Sequence, residues 1–417
     1  MNTHSTKQQR IAVVTMGVKL GDETRGYTRF RFLSELLAKH GFEVDLITSS
    51  FQHWDKAQRD TTKECYKNLP YNVVFINEPG YTKNLDLARI RSHAQAAKNL
   101  REHFEADPQR YDLIYAEIPP NDVARVCAEF GHKNRIPFIA DINDLWPEAM
   151  RMVFNLPLIS DIAYKSFTRD AKATYELLTG AVGTSDEYAL RPAKDRTDNY
   201  PHITVYVGND LSLFDAGVEK YLPEIKKPDD EVWITYAGTI GASYDIKTLI
   251  EAMSLVAWEA RSNPHIPKVR AKILGDGPDR EKLEDLASKL KAPVDFLGYT
   301  EYEKMAAYLA ASDITINSLV KSAAQSIVTK IGDYLASGKP MINTGMSPEF
   351  REKVERDGFG VNVEPENQYA LSAEIIELAL HADMRKIMGA RGRAIAESEF
   401  DQPRSYLKIV AMIQTLI

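Results

Sequence analysis

The stretch Val232-Trp-Ile-Thr-Tyr-Ala-Gly-Thr-Ile-Gly241, followed by Asp245-Ile-Lys-Thr-Leu-Ile-Glu-Ala252, reads as a strand, a glycine-bearing turn and a helix. An uninterrupted β-branched and aromatic run suits a strand covered on both faces, as in parallel sheets layered by helices. Downstream the unit repeats, with strands expected at Val269–Leu274, Val294–Leu297, Ile314–Asn317, Pro340–Asn343 and Gly360–Val363. Helices are expected near Asp245–Trp258, Asp279–Lys289, Glu301–Ala311, Ile327–Ser337 and Gln368–Leu380.

Upstream the same alternation runs through Ile11–Met16, Glu43–Thr48, Val73–Ile76, Asp112–Ala116, Pro137–Asp141 and Gly180–Gly183. It pauses across Asp186–Asp230, where Pro192, Pro201, Pro223 and Pro228 fall among charged clusters. The expected architecture is α/β: two Rossmann-like doubly wound domains facing each other across a cleft, with a ligand held at the carboxyl ends of the strands. The expected domains are 1–205, 206–396, and a last helix within 397–417 that carries Leu407, Val410, Ile413 and Leu416.

Composition narrows the chemistry. The chain has 417 residues, 44% hydrophobic and 27% charged, which suits two or three folded domains rather than a disordered chain. Its 52 Lys+Arg against 59 Asp+Glu give a net charge of −7, so no global field gathers nucleic acid. Cys65 and Cys127 are the only cysteines, without Cys-x-x-Cys or zinc spacing, which predicts a reducing compartment and no structural metal. The start, MNTHSTKQQR, lacks a signal peptide's apolar region, and no run reaches the roughly 18–20 apolar residues of a membrane span. A cytoplasmic protein, peripheral at the inner face of the membrane at most, is the expectation.

Each half has a glycine turn after its first strand: Gly17, Gly21 and Gly26, then Gly238 and Gly241. Neither matches Gly-x-Gly-x-x-Gly, which disfavours a nicotinamide cofactor. The run Gln325-Ser-Ile-Val-Thr-Lys-Ile-Gly-Asp-Tyr-Leu-Ala-Ser-Gly-Lys-Pro340 predicts a helix whose first turn carries Ser326, Thr329 and Lys330. Free N–H groups at such a start favour an anion, and Lys330 adds a full charge there. Asp333, at i+3 from Lys330, is placed to accept two hydroxyl hydrogen bonds, as a ribose offers. A solvated Lys and Asp pair on an amphipathic helix is the plain alternative.

Together these motifs resemble the nucleotide-sugar domain of retaining glycosyltransferases of family 4, of the two-Rossmann GT-B architecture. Leu274-Gly-Asp-Gly-Pro278, Phe296-Leu-Gly-Tyr299 and Ala311-Ser-Asp313 fall in the family's order. In the first half, Asp141-Ile-Asn-Asp-Leu-Trp-Pro-Glu148 is similar to a block of its bacterial surface-polysaccharide members, and Val205–Phe214 looks like the family's junction segment. The resemblance implies that Gly298 and Tyr299 lie beside the nucleobase, that Asp333 holds the ribose, that Lys330 with the helix start holds the diphosphate, and that the helix within 397–417 returns to the N-terminal domain. Gly17, Arg25, Gly238, Thr239, Gly275, Gln325, Ser326 and Thr329 complete the expected donor set. The chain departs from the family pattern where Gln325 replaces a glutamate, Thr239 an arginine, and Asp245-Ile246 a Lys-Gly pair.

The resemblance implies transfer of a sugar from a nucleotide diphosphate, a UDP-sugar being the best guess, to a hydroxyl of a glycan or lipid-linked acceptor. No Asp-x-Asp occurs, so metal-independent transfer without a cofactor is expected. Asp141 and Asp144 end a strand and are the candidates to orient or deprotonate the acceptor; Asp144 as a helix cap and Trp146 as core is the plain reading. Arg25 and Arg29 are candidates to reach phosphate. Arg89, Arg91, Lys98 and Arg101, with the apolar run Met150–Ile159, suggest docking on an anionic membrane surface. A nucleotide-sugar epimerase or phosphorylase on the same fold, and a nucleotide-binding subunit without turnover, stay open as alternatives.

Overall fold

The computed structural model of the protein describes residues 8–21, 23, 28–83, 86–153, 159–323 and 327–417. The chain forms two compact units, Met1–Val205 with Tyr406–Ile417, and Tyr206–Ser405.

The first unit contains β1 (Arg10–Val14), β2 (Glu43–Ser49), β3 (Phe51–Gln52), β4 (Ala57–Gln58), β5 (Asn72–Ile76), β6 (Leu113–Ile118), β7 (Phe138–Ile142), β8 (Gly180–Gly183) and β9 (His202–Thr204). Seven of these pair in parallel in the order β5-β2-β1-β6-β7-β8-β9, while β3 and β4 make a small antiparallel pair. Both faces of the sheet are buried: Ala12 and Val14 enter one core, Ile11 and Val13 the other. That is why β1 reads as continuous apolar sequence instead of alternating.

The second unit contains β10 (Glu231–Ala237), β11 (Lys268–Leu274), β12 (Val294–Gly298), β13 (Ile314–Asn317), β14 (Met341–Asn343) and β15 (Gly360–Asn362). They form one parallel sheet in the order β12-β11-β10-β13-β14-β15. Chain direction across the sheet reverses between β10 and β13, and in such a sheet the loops at the carboxyl ends of these strands make the ligand edge.

Residues 186–230 are not the pause that their prolines suggest. They hold β9 and the helix Leu211–Tyr221, which Asp210 caps through the N–H groups of Ser212 and Leu213. Pro192 and Pro223 stand inside short 3-10 turns and Pro201 just precedes β9, positions where a missing N–H costs little. At the other end, the second unit runs to Ser405 instead of stopping at 396. Phe400 stacks on Tyr206 at 4.4 Å, and the Asn209 N–H donates to the Phe400 carbonyl at 2.9 Å. Beyond that point Tyr406, Ile409, Met412 and Ile413 join the first unit's core. Among the described residues no helix is long and apolar enough to cross a membrane.

Candidate functional site

Gly238, Gly275 and Gly298 meet at the carboxyl ends of β10, β11 and β12. The Gly238 N–H donates to the Leu274 carbonyl at 2.9 Å, and the Gly275 N–H to the Gly298 carbonyl at 2.8 Å. Gly275 has φ +127, and a Cβ there would stand 1.8 Å from the Gly238 carbonyl oxygen, so only glycine fits. Backbone without side chains on this edge is what close approach of a ligand requires.

Lys330 comes to the same edge. Its Nζ donates to the Tyr236 hydroxyl at 3.0 Å and lies 3.7 Å from the centre of the Tyr244 ring and 4.4 Å from that of Tyr236. The Tyr236 hydroxyl donates onward to the Thr239 carbonyl at 2.6 Å. A Cβ on Gly238 would come within 2.6 Å of the ammonium. Burial lowers the Lys330 pKa to about 7, and among the described residues no carboxylate registers on it to offset that loss. An ammonium held between two aromatic faces without a resident counter-ion is a place for an anion.

The surroundings of Lys330 differ from the expected helix start. Residues 327–330 are not helical, and the helix is the six-residue Ile331–Ala336 with Lys330 at its N-cap. The β-branched run Ile327-Val-Thr329 is a poor first turn, so the helix opens late. A helix this short has no anion site of its own, which leaves the side chain of Lys330 as the cationic group at this edge. Thr329 is exposed ahead of the helix, and Gln325 and Ser326 lie outside the described residues.

Asp333 points to other partners. Its Oδ1 accepts from the Tyr302 hydroxyl at 2.7 Å and from Asn209 Nδ2 at 2.8 Å, and burial pushes its pKa up to about 6 against these bonds. Oδ1 is thus engaged by resident donors, and the hydroxyl contacts expected of this carboxylate fall to Oδ2. Tyr299 is 74% exposed next to Gly298, and Thr239 is exposed next to Gly238.

In the first unit, Asp141 is not placed for catalysis. It is fully buried, accepts from Arg29 at 2.9 and 3.1 Å and from the Tyr115 hydroxyl at 2.6 Å, and so belongs to the core. Arg29 is spent on the same cluster, also donating to the Val205 carbonyl and the Tyr406 hydroxyl, and is not a phosphate ligand. Asp144 is half-buried just past β7, accepting from the Leu145 N–H at 2.8 Å and from Trp146 Nε1 at 3.0 Å; burial raises its pKa. Gly17 follows β1, its N–H donating to Thr15 Oγ1 at 3.3 Å, and Arg25 lies outside the described residues.

Sequence reasoning passed over Glu117, which ends β6. Burial pushes its carboxyl up to about 7 while Thr15 Oγ1 donates to it at 2.5 Å. An acid inside the apolar run Leu113-Ile-Tyr-Ala-Glu-Ile118 was the available signal. The basic stretch on helix Leu87–Ala106 is divided: Arg101 pairs with Glu129 at 2.6 Å, and Arg89 lies over Tyr81 and Trp146. Much of the apolar run that follows Met150 lies outside the described residues.

Comparison with known proteins now bears on this edge, because residues 231–381, which carry β10 to β15 and Lys330, match the model of Glycosyl transferases group 1. A curated relative, an uncharacterized glycosyltransferase of Methanocaldococcus jannaschii, is 27% identical over 217 residues, 51% of this chain and 52% of the relative. The chain thus spans about half the length of that relative in the matched region. Sucrose-phosphate synthase of Thermosynechococcus elongatus superposes with a TM-score of 0.67 at 19% identity, covering 98% of this chain and 99% of that one. Anabaena HepE, solved with UDP, gives 0.69 at 15% identity over 98% and 100%. The fold is GT-B, two α/β units with parallel sheets.

Proposed function

We propose that the protein is a retaining, metal-independent glycosyltransferase, and that it takes the diphosphate of a nucleotide sugar against Lys330. The observation that carries this reading is the half-buried ammonium of Lys330 beside Gly238, at the carboxyl edge of the sheet whose residues match the group 1 glycosyl transferase model. Loss of a nucleotide diphosphate builds negative charge on the departing phosphate, and a preorganised cation in a low-dielectric setting acts where that charge develops. Exposed Tyr299 beside Gly298 supplies a face for the base. A UDP-sugar is the preferred donor in this reading, supported by HepE, which has also been solved with UDP-glucose.

On the acceptor side, Asp144 is the carboxylate proposed to orient a glycan or lipid-linked hydroxyl. Docking at an anionic membrane surface, part of the same reading, rests on Leu87 and Ile90, exposed beside Arg91 on helix Leu87–Ala106. The test is calorimetric titration of UDP into wild type and Lys330→Ala. Loss of a charge-assisted contact predicts a Kd raised about tenfold or more. An unchanged Kd in the variant sinks the phosphate site.

A further inference from the structure

Asp333 sits in an arrangement that the reading above does not use. Both of its resident bonds fall on one oxygen: Oδ1 accepts from the Tyr302 hydroxyl at 2.7 Å and from Asn209 Nδ2 at 2.8 Å, while among the described residues Oδ2 accepts none. Tyr302 opens the helix Tyr302–Ala311 shortly after Gly298 ends β12, and Asn209 lies just before the helix Leu211–Tyr221. All three side chains belong to the second unit.

The three groups close a triangle whose protons are all assigned. Asn209 Nδ2 also donates to the Tyr302 oxygen at 3.4 Å, so its two hydrogens serve the acid and the phenol, and the phenol proton is left for Oδ1. Burial, then Asp333, push the Tyr302 phenol well up, which keeps that proton in place. Turning the amide over would set Asn209 Oδ1 against the carboxylate, so its orientation is fixed. Among the described residues no cation registers on Asp333: burial raises its pKa to about 6, and the two neutral donors are what oppose the rise.

Two local costs maintain this geometry. Asn209 Oδ1 is buried with no hydrogen-bond partner, a loss that native interiors rarely accept. Gly332, next to the acid, weakens its six-residue helix more than any residue but proline would, yet a Cβ there would stand 3.0 Å from that same oxygen. Glycine thus admits the amide that holds Asp333, and local rules are broken in this way where a side chain has to be aimed. We propose that Tyr302 and Asn209 are positioning residues: by filling Oδ1 they present Oδ2 of Asp333 to a ribose hydroxyl of the bound nucleotide. Neutral donors suit that role, because a cation on the acid would spend the charge that makes Oδ2 a strong acceptor. The inference rests on the transferase reading for the nucleotide, and the roles of Tyr302 and Asn209 do not depend on Lys330.

The test is calorimetry on the full chain with three probes: UDP, 2′-deoxy-UDP and 3′-deoxy-UDP. In the wild type at least one deoxy analogue is expected to bind about tenfold more weakly than UDP, and that analogue names the hydroxyl on Oδ2. Tyr302→Phe keeps the ring and removes one donor, and it is expected to shrink the ratio to about threefold by weakening UDP alone. A purely structural loss would weaken all three probes alike and leave the ratio where it was. In an Asp333→Asn background, where the ratio should fall to about one, Tyr302→Phe should weaken UDP no further, since it acts through the acid. Should Tyr302→Phe fail to fold, as judged by thermal melting, Asn209→Ala carries the same measurement. A wild-type ratio near one, a ratio unchanged in the folded variant, a loss of UDP affinity that persists in the Asp333→Asn background, or no UDP binding at all overturns the positioning role. Lys330→Ala separates the two readings: UDP affinity unchanged there, alongside a ratio that falls in Tyr302→Phe, sinks the phosphate site at Lys330 and leaves the positioning role standing.

Discussion

At the scale of single residues, Lys330 sets a pH signature. Its folded pKa is lowered to about 7, so at pH 8 to 9 most of the free protein carries a neutral amine. A diphosphate binds the charged form, and the complex must take up a proton. The sign is therefore fixed: apparent affinity for UDP falls as pH rises above 7, by about tenfold per unit once the amine is mostly neutral. An ordinary exposed lysine would give a flat profile to about pH 10. Calorimetry in buffers of different ionisation heat reads the uptake directly, and a pH-independent Kd between about 7 and 9 rejects the idea.

The glycines make a second residue-scale contrast. Gly275→Ala drives a methyl into the Gly238 carbonyl, while at Gly41, φ +90, a Cβ meets nothing within 4 Å. Both substitutions strain the backbone, at about 1 kcal/mol for a left-handed residue. Only Gly275→Ala adds a backbone collision, and it should cost about 2–3 kcal/mol more in urea unfolding. Equal losses at the two positions would mean that the strand ends relax freely.

Among elements, the Arg29–Asp141 pair ties four parts of the first unit together: the start of helix Arg29–Lys39, β6 through Tyr115, β7, and the returning chain through Tyr406. Both side chains are almost completely buried, so removing one leaves an uncompensated charge or unmet donors. Arg29→Met is expected to lose about 3–5 kcal/mol of stability in urea unfolding, and adding Asp141→Leu to recover most of it. Recovery distinguishes an unpaired charge from lost packing. If the double variant is no more stable than the single, packing is the cause.

This pair also marks the limit of what the sequence discloses. Strands such as β1 and β10 are legible because both faces of a parallel sheet are apolar. The Gly238, Gly275 and Lys330 convergence is legible because each residue ends a strand or precedes a helix. Asp141 misleads, since an acid at a strand end has the same local sequence whether it meets an acceptor or an arginine 112 residues earlier. Asp333 shows only part of its setting in the sequence for the same reason, its partner Asn209 lying 124 residues away. β9, three residues long and at the sheet edge, has too few positions to show a period, and the prolines around it hide it further.

For the molecule as a whole, each unit has its own two-sided core, and the four tryptophans divide evenly: Trp54 and Trp146 in the first unit, Trp233 and Trp258 in the second. The phosphate site proposed at Lys330 belongs to the second unit, and a ligand stabilises what it binds by mass action. UDP at about one hundred times its Kd should add roughly 2.7 kcal/mol to the stability of the structure that holds Lys330 in place. Hydrogen exchange gives that increment an address. Protection should rise most at the ends of β10, β11 and β12, around Gly238, Gly275 and Gly298, and at Val328–Lys330, which carry the Lys330 side chain that reaches this edge. Lys330→Ala should abolish the rise while leaving the exchange of β1 and β6 untouched, since their cores contain none of these residues. If protection by UDP instead centres on β6 and β7 and persists in Lys330→Ala, the nucleotide sits with Glu117 and Asp144 in the first unit, and the two units exchange their proposed roles.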